Sequence, residues 1–70
     1  MMPLNLAPVN EAQIVKKIGG SAEVKKHLED LGFVVGANVT IINTLGNNVI
    51  VNIKESRIAI SDEMARKIMV

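Results

Sequence analysis

Seventy residues with eight Lys and Arg against seven Asp and Glu carry a net charge of +1; 49% of them are apolar, with one Phe and no Trp, Tyr or Cys. That length admits one domain, residues 1–70, whose core supplies about 3–5 kcal/mol of net stability. The absence of cysteine excludes a disulfide framework and a thiolate metal site, the charge is too balanced for a strong electrostatic argument about a partner, and no apolar run reaches the roughly 20 residues that span a bilayer.

The start, Met1-Met2-Pro3-Leu4-Asn5-Leu6, lacks the basic residues and apolar run of a secretion signal, so a cytoplasmic location is expected without membrane insertion. Residues 1–11 place Leu4, Leu6 and Val9 among prolines and asparagines, which predicts an ordered lead-in packed on the body of the fold. Residues 12–18 predict a first strand with Ile14 and Ile18 inward. Strict alternation would turn Lys16 inward as well, so a bulge or strong bend is expected near Lys16-Lys17. Gly19-Gly20 breaks the strand.

Ser21 is suited to cap a helix over 22–31, because its hydroxyl can accept a free backbone N–H. Glu23 lies in the first turn, where the helix dipole favours an acid. Val24, Leu28 and Leu31 follow at i, i+4 and i+7 and make one apolar face. Gly32 is predicted to stop the helix in a left-handed conformation, with Phe33 folding back onto Leu28. A turn at Gly36 then leads into a strand over 38–45, with Val39 and Ile41 on one face and Thr40 and Ile42 on the other.

Gly46-Asn47-Asn48 predicts a hairpin turn, and Val49 to Ile53 a strand with Val49, Val51 and Ile53 on one face. Lys54-Glu55-Ser56 predicts a second tight turn, followed by a strand over 57–60 with Ile58 and Ile60 inward. Ser61-Asp62-Glu63 starts a short helical turn, and Ile68-Met69-Val70 a last strand. These elements give a mainly β, small α+β fold: a five-stranded bent barrel with one helix after the first strand and a helical turn before the last.

Catalytic equipment is sparse. His27 is the only histidine; Glu23 one turn earlier could join it, but a metal site needs three or four donors. No metal ligand set and no cofactor site is therefore assigned. Glu29-Asp30 and Asp62-Glu63 are sequence neighbours, which do not face each other on a helix and make poor acid–base pairs. Ser21 and Ser61 are accounted for as caps, and no nucleophile elbow or triad is present, so no catalytic residue is assigned and the chain reads as a non-enzyme. A nucleic-acid-binding barrel needs stacking aromatics and a basic groove, which one Phe and scattered lysines do not supply.

A barrel this small cannot bury both faces of a hairpin. Ile42, Leu45 and Ile50 therefore either pack under the helix or form an apolar patch for a partner; on the second reading they and the turn residues Gly46 and Asn47 are the expected partner-binding surface. Leu28, Gly32, Phe33 and Gly36 are expected to serve structure only. Apolar Met69 and Val70 leave self-association into a homo-oligomer open.

In this order and spacing, Ala12-x-Ile14, Gly20, Leu28-x-x-Leu31-Gly32-Phe33-x-x-Gly36-x-x-Val39, the Gly46-Asn47 hairpin, Arg57-Ile58-Ala59-Ile60 and Ala65-x-x-Ile68-x-Val70 resemble the ferrous iron transport protein A (FeoA) family from about Leu4 to Val70. The chain departs from the pattern at Pro8-Val9, where many members have Pro-Gly, and at Val35-Gly36, where many have Pro-Gly. The resemblance implies an SH3-like barrel and an accessory role in ferrous iron uptake and iron homeostasis. It also implies a membrane-permease partner with a cytosolic GTP-binding domain. The alternative it implies is a metal- or small-molecule-responsive regulatory module, akin to the SH3-like domain of iron-dependent repressors.

Overall fold

The first strand turns a corner at Val15 and Lys16. In the computed structural model, which describes residues 1–70, Val15 N–H donates to the Ala37 carbonyl at 2.9 Å, while Lys16 N–H donates to the Met69 carbonyl at 2.8 Å. Consecutive amides thus bond to different sheets. The strand divides into β1 (Ala12–Ile14) and β2 (Lys17–Ile18). The expected bend is there, but the parity before it is the reverse of the expectation: Ile14 is 46% exposed and Val15 is fully buried. The corner shifts the inward set from odd residues in β1 to Ile18 in β2, so Lys16 never has to face the core.

After helix α1 (Ala22–Asp30) come β3 (Asn38–Leu45), β4 (Asn48–Ile53) and β5 (Ser56–Ser61), a short helix α2 (Asp62–Ala65) and β6 (Ile68–Met69). The larger sheet runs β1-β3-β4-β5, and β2 pairs with β6 in a smaller one; each pairing is antiparallel. The lead-in is ordered as expected. A 3-10 helix over Leu4–Leu6 buries Leu4 completely. Met2 and Val70 exchange backbone hydrogen bonds at 2.9 and 2.8 Å, which lays the lead-in beside β6. Val70 is 3% exposed and packs in the core, and Met69 is half-buried.

The barrel is not closed by a continuous ladder. β5 has a hydrogen-bonded neighbour on one side only, and α2, which leads from β5 to β6 and packs against β5, β4 and the 3-10 helix of the lead-in, buries its Ala65 fully. Leu4, Val15, Leu28, Phe33, Val39, Val51, Ile53 and Ile68 form the tightest part of the core, each at most 1% exposed. The inward faces of β3 and β4 are the alternating residues read from the sequence: Val39 and Ile41, then Val49, Val51 and Ile53. In β5, Ile60 is buried and Ile58 half-buried. No helix is long and apolar enough to cross a membrane.

Both helices start as their serines require. Ser21 Oγ accepts the Val24 N–H at 3.2 Å, and Ser61 Oγ accepts the Met64 N–H at 3.1 Å. The end of α1 is a Schellman cap. Phe33 N–H reaches the Leu28 carbonyl and Gly32 N–H the Glu29 carbonyl, both at 2.9 Å, with Gly32 at φ +109°. Leu28 and Phe33 are both fully buried, which completes the apolar contact of that motif.

The β4–β5 turn carries strain. Lys54 and Glu55 have φ of +50° and +63°, the type I′ geometry that favours Asn-Gly, on two residues with full side chains. Glu55→Gly is expected to stabilise the fold by about 0.5–1 kcal/mol. In a domain of this size that raises Tm by roughly 3–8 °C. Calorimetry on the single variant checks it; a lowered Tm would mean the Glu55 side chain contributes more than its backbone costs.

Candidate functional site

The β3–β4 hairpin gathers the five residues expected to meet a partner. Leu45 ends β3 opposite Asn48, is 66% exposed and stands at the tip. Gly46 and Asn47 form the two-residue turn, and a Cβ placed on Gly46 would meet no atom within 4 Å, so the tip is open. The tip is nonetheless anchored. The Asn47 carbonyl accepts the Asp62 N–H at 2.7 Å, which ties the turn to the start of α2.

A β-bulge sets the face. The register passes from Ile41↔Val51 to Asn43↔Ile50, leaving Ile42 as the extra residue. Two consecutive residues, Ile42 and Asn43, therefore oppose Ile50, on the face away from the buried Ile41 and Val51. Ile42 and Ile50 are half-buried, and Ile50 is flanked on its other side by the exposed Ala59 of β5. Leu45, Asn43, Asn48, Ala59 and Ser61 extend this face, and none of them is ionisable. The surface is apolar at its centre and amide- and hydroxyl-bearing at its rim, with Arg57, two residues before Ala59 on the same face of β5, the nearest charge along that strand.

Two of these residues escaped sequence reasoning. Asn43 comes to this face only through the bulge, which leaves no mark in the sequence, and its Oδ1 accepts the Thr44 N–H at 2.8 Å. Ala59 was readable in principle, because a two-residue turn at Lys54-Glu55 fixes the register that places it beside Ile50.

The ionisable groups do not converge. His27 lies in a shallow groove with Glu23, Asp30 and Met64, beside Lys26, and no group of three His, Cys, Asp or Glu side chains comes together anywhere to hold a metal ion. Asp62 is engaged by Arg66, whose Nε donates to its Oδ2 at 2.9 Å across one turn of exposed helix. Glu63 stands beside Asp62 and Arg66 around the start of α2, where the dipole favours acids. Gly36, expected as a turn, is at φ +93° in a turn closed by Ala37 N–H to the Val34 carbonyl at 3.0 Å.

Comparison with known proteins gives one consistent result. The family model described as the FeoA domain matches residues 2–70. A Methanocaldococcus jannaschii protein provisionally named Fe(2+) transport protein A is 37% identical over 70 residues, covering 100% of this chain and 85% of its own. A crystal structure of an iron uptake regulatory protein, FeoA, superposes with a TM-score of 0.91 at 25% identity, covering 99% of this chain and 92% of that one. The zinc-complexed FeoA of Stenotrophomonas maltophilia, described as an SH3 domain protein, shares the fold with a TM-score of 0.85 at 22% identity, covering 100% of this chain and 89% of that one.

Proposed function

The chain belongs to the FeoA domain family, and on that premise we propose that it is an accessory of ferrous iron transport that docks its β3–β4 hairpin face on the cytosolic part of a GTP-binding iron permease. One observation supports this most: Ile42, Leu45 and Ile50 gather half-buried and exposed apolar side chains on the outer face of the β3–β4 hairpin, whose turn is anchored through the Asn47 carbonyl to α2. A preformed, rigid apolar face loses little conformational entropy on binding. The chain offers the partner shape and apolar area, and the chemistry of iron transfer belongs to the permease.

The test is Leu45→Asp. Leu45 is 66% exposed, so the variant is expected to keep its fold and melting behaviour. A desolvated carboxylate at the centre of an apolar contact is expected to cost about 2 kcal/mol or more, roughly 30-fold in affinity for the isolated cytosolic domain of the permease. Ferrous iron uptake in cells carrying only this variant should fall with it. Unchanged binding and uptake in a folded Leu45→Asp protein would remove the hairpin from the interface.

A further inference from the structure

A second exposed surface lies at the other end of β3 and differs in composition. Val34 to Ala37 form a β-turn in which Val35 takes the corner, with Gly36 following at φ +93° as a type II turn requires. The corner projects: Val35 is 68% exposed and Val34 38%, and Ile14, paired with the neighbouring Asn38, is 46% exposed. Two shallow grooves share this tip. Lys16, Lys17 and Lys25 line one, with Glu29; Lys54 lines the other, with Glu55. Four of the chain's eight cationic side chains and two of its seven carboxylates thus surround the tip, and the remaining surface is net acidic.

The identity of the cations narrows the partner. All four are lysines, and both arginines, Arg57 and Arg66, lie elsewhere. Protein interfaces favour Arg, Met and aromatics and are depleted in Lys; this patch has no exposed aromatic, no Met and no Arg. A convex tip of valines ringed by ammonium groups on flexible stems fits a diffuse anionic surface with an apolar interior, which is what a bilayer of acidic phospholipids presents. The stem of Lys54 lies over Gly32, where its Cδ is 3.2 Å from the position a Cβ would take, as the apolar stems of interfacial lysines cover protein surface while their charges stay in water.

We infer that the Val34–Val35 tip, with Lys16, Lys17, Lys25 and Lys54, rests on an anionic membrane surface, the valines among the headgroups and the ammoniums on the lipid phosphates. Nothing crosses the bilayer. The inference is independent of the permease contact, which uses the opposite end of β3, roughly 20 Å away along eight residues of strand. The two contacts are compatible: a protein resting on the bilayer by one end leaves its hairpin free to meet the cytosolic part of a membrane protein.

The test is co-sedimentation of the full chain with sucrose-loaded vesicles, so no permease is present and failure here leaves the hairpin reading untouched. Vesicles containing phosphatidylglycerol are expected to carry the protein down at low salt, while pure phosphatidylcholine vesicles leave it in solution and half-molar salt releases it. Val35→Asp, and separately Lys16→Glu with Lys17→Glu, are expected to lower the partition coefficient at least tenfold. Lys26→Glu with Arg66→Glu, the same charge change at residues that line neither groove, should stay within about twofold; circular dichroism melts confirm that each variant is folded, with Val35→Ser as the substitute if Val35→Asp is not. The inference is overturned by any of three results: no retention on phosphatidylglycerol, equal retention on phosphatidylcholine, or full retention by Val35→Asp. Capture on immobilised polyglutamate with none on anionic vesicles would also overturn it, and would assign the patch to an acidic protein.

Discussion

Phe33→Ala is expected to leave the chain largely unfolded at room temperature. Phe33 is the one aromatic residue in 70 and is fully buried. Truncating a buried Phe costs about 3–5 kcal/mol, the lost transfer energy plus the cavity left behind. The whole domain has about that much to lose. The surroundings cannot refill the space, because the neighbouring core is β-branched Val and Ile on strands together with Leu28 and Leu4, whose positions are set by backbone pairing. Far-UV circular dichroism with urea titration reads the outcome: a missing or strongly lowered transition midpoint is expected. Phe33→Leu separates packing from capping, since it keeps an apolar residue at the end of the cap. It should cost about 1–2 kcal/mol and remain folded. A midpoint for Phe33→Ala within a few tenths molar of the parent would mean the site collapses onto the cavity.

The contrast between the cap and the first strand shows which features the residues announce. Leu28, Gly32 and Phe33 specify a local geometry, and both Schellman bonds form between residues at most five apart. Local rules suffice there, so the helix end and its packing were legible. The same holds for β3 to β5, where two short turns lock the register and the buried face follows from alternation. The first strand failed at Ile14 because its parity is decided by a non-local event. Val15 and Lys16 bond to carbonyls of Ala37 and Met69, far away in sequence, and the strand changes sheets between them. The lysine pair announced a break but not which side Val15 would take. The hairpin face was half-legible for a similar reason: Leu45 and Ile50 follow from turn and alternation, whereas the bulge that sets Ile42 and Asn43 together against Ile50 depends on how β3 must bend.

The two surfaces also differ in how the fold supports them. The hairpin tip is held by a 2.7 Å hydrogen bond from Asp62 to the Asn47 carbonyl, so Leu45 is presented by backbone fixed at both ends. The valine tip is held by the turn bond from Ala37 to Val34 and by Gly36 N–H to the Val15 carbonyl at 2.8 Å, which joins it to the barrel corner. A rigid apolar face suits a partner of definite shape; a projecting tip ringed by mobile lysines suits a surface with charge and no fixed shape.

Gly32→Ala is expected to lower stability by roughly 1–3 kcal/mol, or about 5–15 °C in Tm. Two effects add. At φ +109° the backbone is where an L side chain collides with its own peptide, and a Cβ there would also stand 3.2 Å from Lys54 Cδ. Gly36→Ala isolates the first effect, because its φ of +93° is similar but an added Cβ meets nothing within 4 Å. Gly36→Ala should therefore be the milder of the two. The Lys54 stem is flexible and can move aside, so Lys54→Ala combined with Gly32→Ala should recover part of the difference, a coupling that a double-mutant cycle measures directly. That recovery also bears on the strained β4–β5 turn: if the Lys54 stem stabilises the end of α1 by covering Gly32, Lys54→Ala alone destabilises, and the left-handed conformation of Lys54 is held in place by that contact. If instead Gly32→Ala and Gly36→Ala cost the same, crowding by Lys54 contributes nothing, and left-handed strain alone explains the need for glycine at the end of the helix.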